Sequence, residues 1–310
     1  MSIAISGSIA FDTIMVFEGR FADHILPDQV QMLNVAFLAP TMRQEFGGCA
    51  ANIAYGLRLL KADVVVLGAL GSDGAAYHAR LKSLGIDVSA IVQRSDCYTA
   101  QAFITTDLAD NQITAFHPGA MMRSYENHVR DVPGVGFGIV GPDGYEAMLQ
   151  NCTEFAECGI PFIFDPGQAM PLYNGEELRR MIDQATYVTV NDYESSLLQE
   201  RTGWLAEVIA SKVKAYFITR GPKGSEVHTP DGMIHIPSAT AMRVVDPTGC
   251  GDAYRAGLIF GFMNNLDLAT TGRIASLMGA LKIEHLGPQN QRFDYAGFAE
   301  QFRQQFGYAL

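Results

Sequence analysis

Paired cysteines, basic patches, long apolar runs and metal-ligand spacings are all missing from this 310-residue chain. The five cysteines (Cys49, Cys97, Cys152, Cys158, Cys250) are odd in number and include no Cys-x-x-Cys pair, so no disulfide framework or cysteine zinc site is legible. Buried or free thiols in a reducing compartment are expected. Lys and Arg total 22 against 33 Asp and Glu, a formal charge of −11. That balance argues against nucleic acid and against an anionic membrane surface as partners. A polyanionic substrate would have to be attracted locally, by backbone N–H groups, Mg2+ and a few Lys or Arg. No apolar run approaches the ~20 residues that cross a bilayer. Met1-Ser-Ile-Ala-Ile-Ser-Gly-Ser8 lacks the basic start and cleavage pattern of a secretory signal, and a cytoplasmic location is expected. The seven histidines form no His-x-x-x-His or His-Glu-x-x-His pattern and read as structural or exposed. No Gly-x-Gly-x-x-Gly follows the first strand, which makes a glycine-rich oxidoreductase a poor fit. Without internal repeats, low-complexity tracts or flexible linkers, one domain spanning residues 1–310 is expected.

What is there is a steady alternation of strand-like and helical patterns. Buried-type strands are predicted at Ile3–Ile9, Asp63–Leu70, Gly136–Val140, Pro161–Asp165, Tyr187–Val190 and Ala215–Thr219. Helical patterns lie between them: from Gly47 through Leu60, a helix capped by Ser72 towards Leu84, and around Tyr145–Cys158, Glu176–Ile182 and Asp192–Gln199. Such alternation implies an α/β fold, a mostly parallel sheet with helices on both faces, whose ligands bind at the carboxyl ends of strands. Two segments break the rhythm. Residues 14–45 hold short apolar pieces without a clear helix. Residues 98–120 hold two alternating runs, Ala100–Thr106 and Gln112–His117, joined by an Asx-rich turn that reads as a hairpin. Both are expected to form a small β lid.

The most informative run is Asp246-Pro-Thr-Gly-Cys-Gly-Asp252, directly before an apolar helical pattern. Gly249 and Gly251 let backbone approach a ligand, and the free N–H groups of a helix start favour negative charge. A carboxylate at Asp252, beside that cradle, is placed to take a proton from a hydroxyl attacking a phosphate. Taken alone, the run reads equally as a tight loop with Asp252 as a helix cap. Other candidates are similarly double-sided. Gly47-Gly48-Cys-Ala-Ala-Asn52 could hold a hydroxyl or merely open a helix; Asp12 could bind vicinal hydroxyls or face solvent. Asn191 and Glu194 could serve a phosphate and Mg2+, or form a capping pair. Thr219-Arg-Gly-Pro-Lys-Gly224 could line a phosphate or be a plain turn before the hairpin of Ser225–His228 and Met233–Ile236.

Taken in order along almost the whole chain, these motifs resemble the ribokinase-type (pfkB) family of carbohydrate and nucleoside kinases. The resemblance implies a three-layer α/β/α sandwich with a central sheet of about nine strands and a small β lid. It implies ATP, Mg2+ and a hydroxymethyl acceptor, with a monovalent cation also possible. Carried over by position, Asp252 is the general base, and the amides of Gly249, Cys250 and Gly251 form an anion hole. Asp12, Gly47, Gly48 and Asn52 hold the acceptor; Asn191, Thr219, Gly221, Gly224, His285 and Gln289 serve the nucleotide; Glu194 serves the metal. Cys250 stands where the family usually has Ala, Tyr254 where Phe is commoner, and Ser8 where Asp or Asn is frequent.

Asp246-Pro-Thr and the lid residues Gln101, Phe103, Phe116 and Met121 look more like the adenosine and nucleoside kinase branch. Phe103, Phe116 and Met121 could pack on a flat base, or form the core of the lid itself. A nucleoside 5′-kinase, with adenosine favoured, is therefore expected. A sugar kinase of ribokinase or fructokinase type is the alternative, and a non-catalytic nucleotide or sugar sensor a further one. Monomer and homodimer both remain open.

Overall fold

A computed structural model describes residues 1–24, 35–109 and 111–310. Residues 25–34, inside the first expected lid segment, and Asp110, inside the expected hairpin turn, lie outside the described residues. In chain order the elements are β1 (Ser2–Ser6), β2 (Ala10–Val16), β3 (Thr41–Gly47), α1 (Cys49–Leu59), β4 (Val64–Leu70), α2 (Ala75–Ser83), β5 (Ile91–Gln93), β6 (Ala100–Thr106), β7 (Gln112–His117), β8 (Val135–Val140), α3 (Tyr145–Glu157) and β9 (Phe162–Phe164). They continue as α4 (Gly175–Gln184), β10 (Tyr187–Asn191), α5 (Asp192–Thr202), α6 (Ala206–Lys212), β11 (Ala215–Thr219), β12 (Ser225–Thr229), β13 (Gly232–Ile236), α7 (Cys250–Met263), α8 (Leu268–Ile283) and α9 (Tyr295–Phe306).

Nine strands form one sheet in the order β13-β12-β11-β10-β9-β8-β1-β4-β5. Pairing is parallel from β11 to β5 and antiparallel only at the β12 and β13 edge. Burial on both faces explains the continuous apolar runs read in the sequence. Within β1, Ile3 and Ile5 join a core with α1, α7 and α8, while Ala4 points into a second core with α3, α4 and α5. The sandwich is thus helix, sheet, helix, as expected.

The second sheet has the order β3-β2-β6-β7. It is the expected lid, with one shift: its strand β2 starts at Ala10, so Asp12 stands on the lid itself. Two local expectations fail. α2 begins after Gly74 without a side-chain cap, so Ser72 does not cap it; its neighbour Asp73 instead accepts from Thr99 N at 2.7 Å. β5 went unread because three residues are too few to show alternation. No helix among the described residues is long and apolar enough to cross a membrane.

Candidate active site

Gly48 has φ 86°, and a Cβ there would lie 2.5 Å from Ser8 O and 2.6 Å from Ala10 N. Only glycine lets β3 turn into α1 against the first β-turn-β connection. Ser8 then caps α1, its Oγ accepting from Cys49 N at 3.1 Å. So the serine found in place of a more usual Asp or Asn has a local structural job. Gly47 is closed in by the Asp12 carboxylate, which would clash with any Cβ at that position. The glycine pair therefore brings Asp12, at the lid hinge, against the start of α1.

Asn52, buried in the first turn of α1, donates from Nδ2 to Asp252 Oδ2 at 2.8 Å. Its orientation is set by Gln289, whose Nε2 donates to Asn52 Oδ1 at 3.0 Å and to Tyr77 OH at 2.8 Å; Tyr77 in turn donates to Gly47 O. This directed chain holds Asn52 so that its amide, not its carbonyl, faces the carboxylate. Gln289 is 2 % exposed, and its amide nitrogen is engaged by Asn52 and Tyr77, where the sequence reading expected a nucleotide contact. Tyr77 gave no local signal in the sequence; only its burial beside the glycine pair reveals its part.

Asp252 lies in the first turn of the 14-residue helix α7, whose N-cap is Gly249 at φ 80°. Burial first, and then the charges of Asp165 and Asp12, push its carboxyl up to about 7, against the pull of Asn52 and Arg255. Asp12 is pushed up to about 6 by burial, Glu45 and Asp246. The amides of Gly249 and Gly251 have no acceptor among the described residues, as an anion cradle requires. Cys250 departs from expectation: its N–H donates to Pro247 O at 3.1 Å and so is not free to face an anion. Burial pushes its thiol up to about 11, which keeps it protonated and unreactive.

Asn191 and Thr219 stand side by side at the carboxyl ends of β10 and β11. Asn191 and Glu194 form a reciprocal capping box, at 2.7 and 2.8 Å, that starts α5. Glu194 Oε2 is used there, while Oε1 has no partner among the described residues. Gly221 (φ 53°) faces open space; Gly224 (φ 84°) is glycine because β13 presses on it through Ile236 O. His285 is pinned to the end of α8, its Nδ1 3.0 Å from Leu281 O. Behind these residues lies a pair that the sequence did not disclose. Arg255, one turn after Asp252, makes a bidentate contact with Asp165 at 2.9 and 3.0 Å, both residues being buried, and reaches to 4.0 Å of Glu194. A lone arginine inside the apolar pattern of α7 was the available signal.

The lid residues divide. Register places Asp12, Ala102 and Phe116 in one row across β2, β6 and β7, and Thr13, Phe103 and Ala115 in the next. Successive side chains point to opposite faces, so Phe116 shares the face of Asp12 and Phe103 the other. The two rings therefore lie on opposite faces of the lid rather than side by side. Gln101 shares the face of Phe103 and donates to Thr13 Oγ1 at 2.8 Å. Met121 sits half-buried after the hairpin, its carbonyl against Gly144.

Residues 16–293 match the model of the pfkB family carbohydrate kinases. The structure is similar to a Burkholderia thailandensis nucleoside kinase in complex with inosine, at 52% identity over 99% of both chains and TM-score 0.92. Its likeness to the ADP-inosine complex of that enzyme has 53% identity, coverage of 99% and 97%, and TM-score 0.89. A nucleoside kinase of Methanocaldococcus jannaschii is 31% identical over 83% of this chain and 85% of its own. With an Arabidopsis thaliana ribokinase, at 18% identity over 97% and 98% and TM-score 0.76, the fold alone is shared. The chain belongs to the pfkB family of carbohydrate kinases and is a phosphotransferase.

Proposed function

We propose that this chain transfers the γ-phosphoryl group of ATP to the 5′-hydroxyl of a purine nucleoside, with Asp252 as general base. One observation carries the reading: a base with its carboxyl near 7, held by Asn52, sits beside two unengaged amides at a helix start. Phosphoryl transfer asks a protein for positioning, a base and groups that stabilise spreading negative charge, and little else. Asp252 takes the proton of the 5′-hydroxyl as its oxygen bonds to the γ-phosphorus. The bond from that phosphorus to the β-phosphate oxygen breaks, and ADP leaves. The amides of Gly249 and Gly251 face the charge that develops on the phosphoryl oxygens. Asp12, Gly48 and Asn52 hold the ribose. The nucleotide lies over Asn191, Thr219 and Gly221, at the strand ends where ligands of α/β sheets bind.

Mg2+ fits the donor set. Among the described residues no group of three acidic, His or Cys side chains could cage a metal. The free Oε1 of Glu194 suits an ion that takes one carboxylate, water and substrate phosphates. When bound, Mg2+ would neutralise phosphate charge. Burial and Asp165 raise the Glu194 carboxyl above its ordinary range, so a cation would also relieve that local repulsion.

The proposed acceptors are purine nucleosides: adenosine, as the lid sequence suggests, and inosine, which the Burkholderia thailandensis enzyme holds. ADP release from Mg·ATP with adenosine, inosine, guanosine, cytidine, ribose and fructose tests this, with Asp252→Asn alongside. Turnover with purine nucleosides, reduced about 10²–10⁴-fold in the variant, is expected. Turnover with free sugars only would replace this reading by a sugar kinase; tight ligand binding without any turnover would leave a sensor.

A further inference from the structure

Lys282 is fully buried, which is uncommon for a lysine. Its Nζ donates to Asp246 O at 2.7 Å and to His285 O at 3.1 Å, and no carboxylate oxygen among the described residues lies within 4 Å of it. Burying an ammonium is costly even after relaxation, and two carbonyl dipoles with the nearby charge of Asp246 offset only part of that. A methionine or leucine would fill the same space without the cost.

The position of the charge gives its use. Asp246 begins the run that ends at Asp252, and it is gripped at every polar atom. Its N–H donates to Ile283 O at 3.1 Å, Oδ1 accepts from Thr248 N at 2.9 Å, and Oδ2 accepts from Gly287 N at 2.8 Å. Lys282 supplies the remaining grip, on the carbonyl, and so fixes the Asp246–Pro247 peptide plane from which the turn to Gly249 starts. The same ammonium ties this loop to His285, in the segment that also carries Gln289. It stands at the C-terminal end of α8, where the helix dipole favours a cation.

We propose that Lys282 is a positioning residue for phosphoryl transfer: its buried ammonium locks the Asp246 carbonyl, aims the Gly249 and Gly251 amides, and adds positive field behind them. The inference rests on the anion-cradle reading of that loop. A cation behind the cradle, in a low-dielectric setting, acts more strongly on a charged phosphoryl group than one in water.

The test uses the wild-type enzyme, Lys282→Met and Lys282→Ala. For Lys282→Met, kcat is expected to fall about 10²-fold while inosine Kd by calorimetry stays within about threefold. Trapping of ADP and inosine by aluminium fluoride should weaken in parallel with kcat. For Lys282→Ala, added ammonium or methylamine should restore at least about tenfold of the lost rate. A Lys282→Met enzyme with wild-type kcat overturns the proposal. So does parallel loss of kcat, inosine affinity and thermal stability with no amine rescue, which would make Lys282 a structural residue only. Failure of the wild type to form the aluminium fluoride complex would overturn the anion-cradle reading itself, and this one with it.

Discussion

At Asp252, burial and the carboxylates of Asp165 and Asp12 disfavour the charged form that a base needs, while Asn52 and Arg255 favour it. The result is a carboxyl poised at about 7, close to where a general base works best. kcat/KM should therefore rise with pH through about 7, and a pH profile of the free enzyme reads this directly. The same shift carries a stability consequence. Asp252 and Asp12 have folded values of about 7 and 6 against 3.8 unfolded, so the folded chain binds more protons between those limits. Their contribution to stability is complete below about pH 4 and is lost as pH rises through 6 and 7. Asp252→Asn should accordingly melt a few degrees higher than wild type at pH 8 and no higher at pH 4, measured by thermal unfolding. An equal gain at both pH values would show that the buried charge is not its source.

Between elements, the Asp165–Arg255 pair joins β9 to α7 beneath the site. Removing one member of a buried ion pair strands the other, which costs about 3–5 kcal/mol, whereas replacing both with apolar residues is often neutral. Arg255→Leu should lower the unfolding free energy measured by urea titration by that amount, and the Asp165→Leu, Arg255→Leu double variant should regain most of it. A single variant as stable as wild type would contradict the burial argument. Because Arg255 also approaches Glu194, the double variant should keep its fold yet lose phosphoryl transfer.

The whole molecule is built on two sheets, joined where β3 turns into α1. The nine-stranded sheet carries Asn191 and Thr219 at its strand ends, with α7 and the proposed base Asp252 packed on it; the lid carries Asp12 and Phe116 on one face. Phe116→Ala should raise the KM for inosine about 2- to 12-fold, in line with about 0.5–1.5 kcal/mol for ring stacking, with kcat little changed. Phe103→Ala, on the opposite face, should leave that KM in place. Steady-state kinetics on both variants separates base packing from lid packing; equal effects would refute the assignment of faces.

Much of this was legible in one dimension. Apolar runs and helical spacings are local properties, and they located most strands of the large sheet other than β5, the hairpin of β6 and β7, and helices α1 to α5. Glycines beside a carboxylate before an apolar helical pattern are a local signal, and so Asp252, Gly249, Gly251, Gly48 and Asn52 could be proposed from pattern alone. What pattern could not supply was direction and partnership. Gln289 turned out to orient Asn52, Cys250 to spend its amide on Pro247, and Phe103 to face away from Phe116, because each depends on which chain segment lies opposite. Tyr77, Arg255 and Lys282 are ordinary residues in helices until folding buries them, and burial is what turns a phenol, a guanidinium and an ammonium into groups that must find partners. Local backbone chemistry set the glycine turn and the carboxylate beside it; long-range packing in a low-dielectric interior decided how they are aimed.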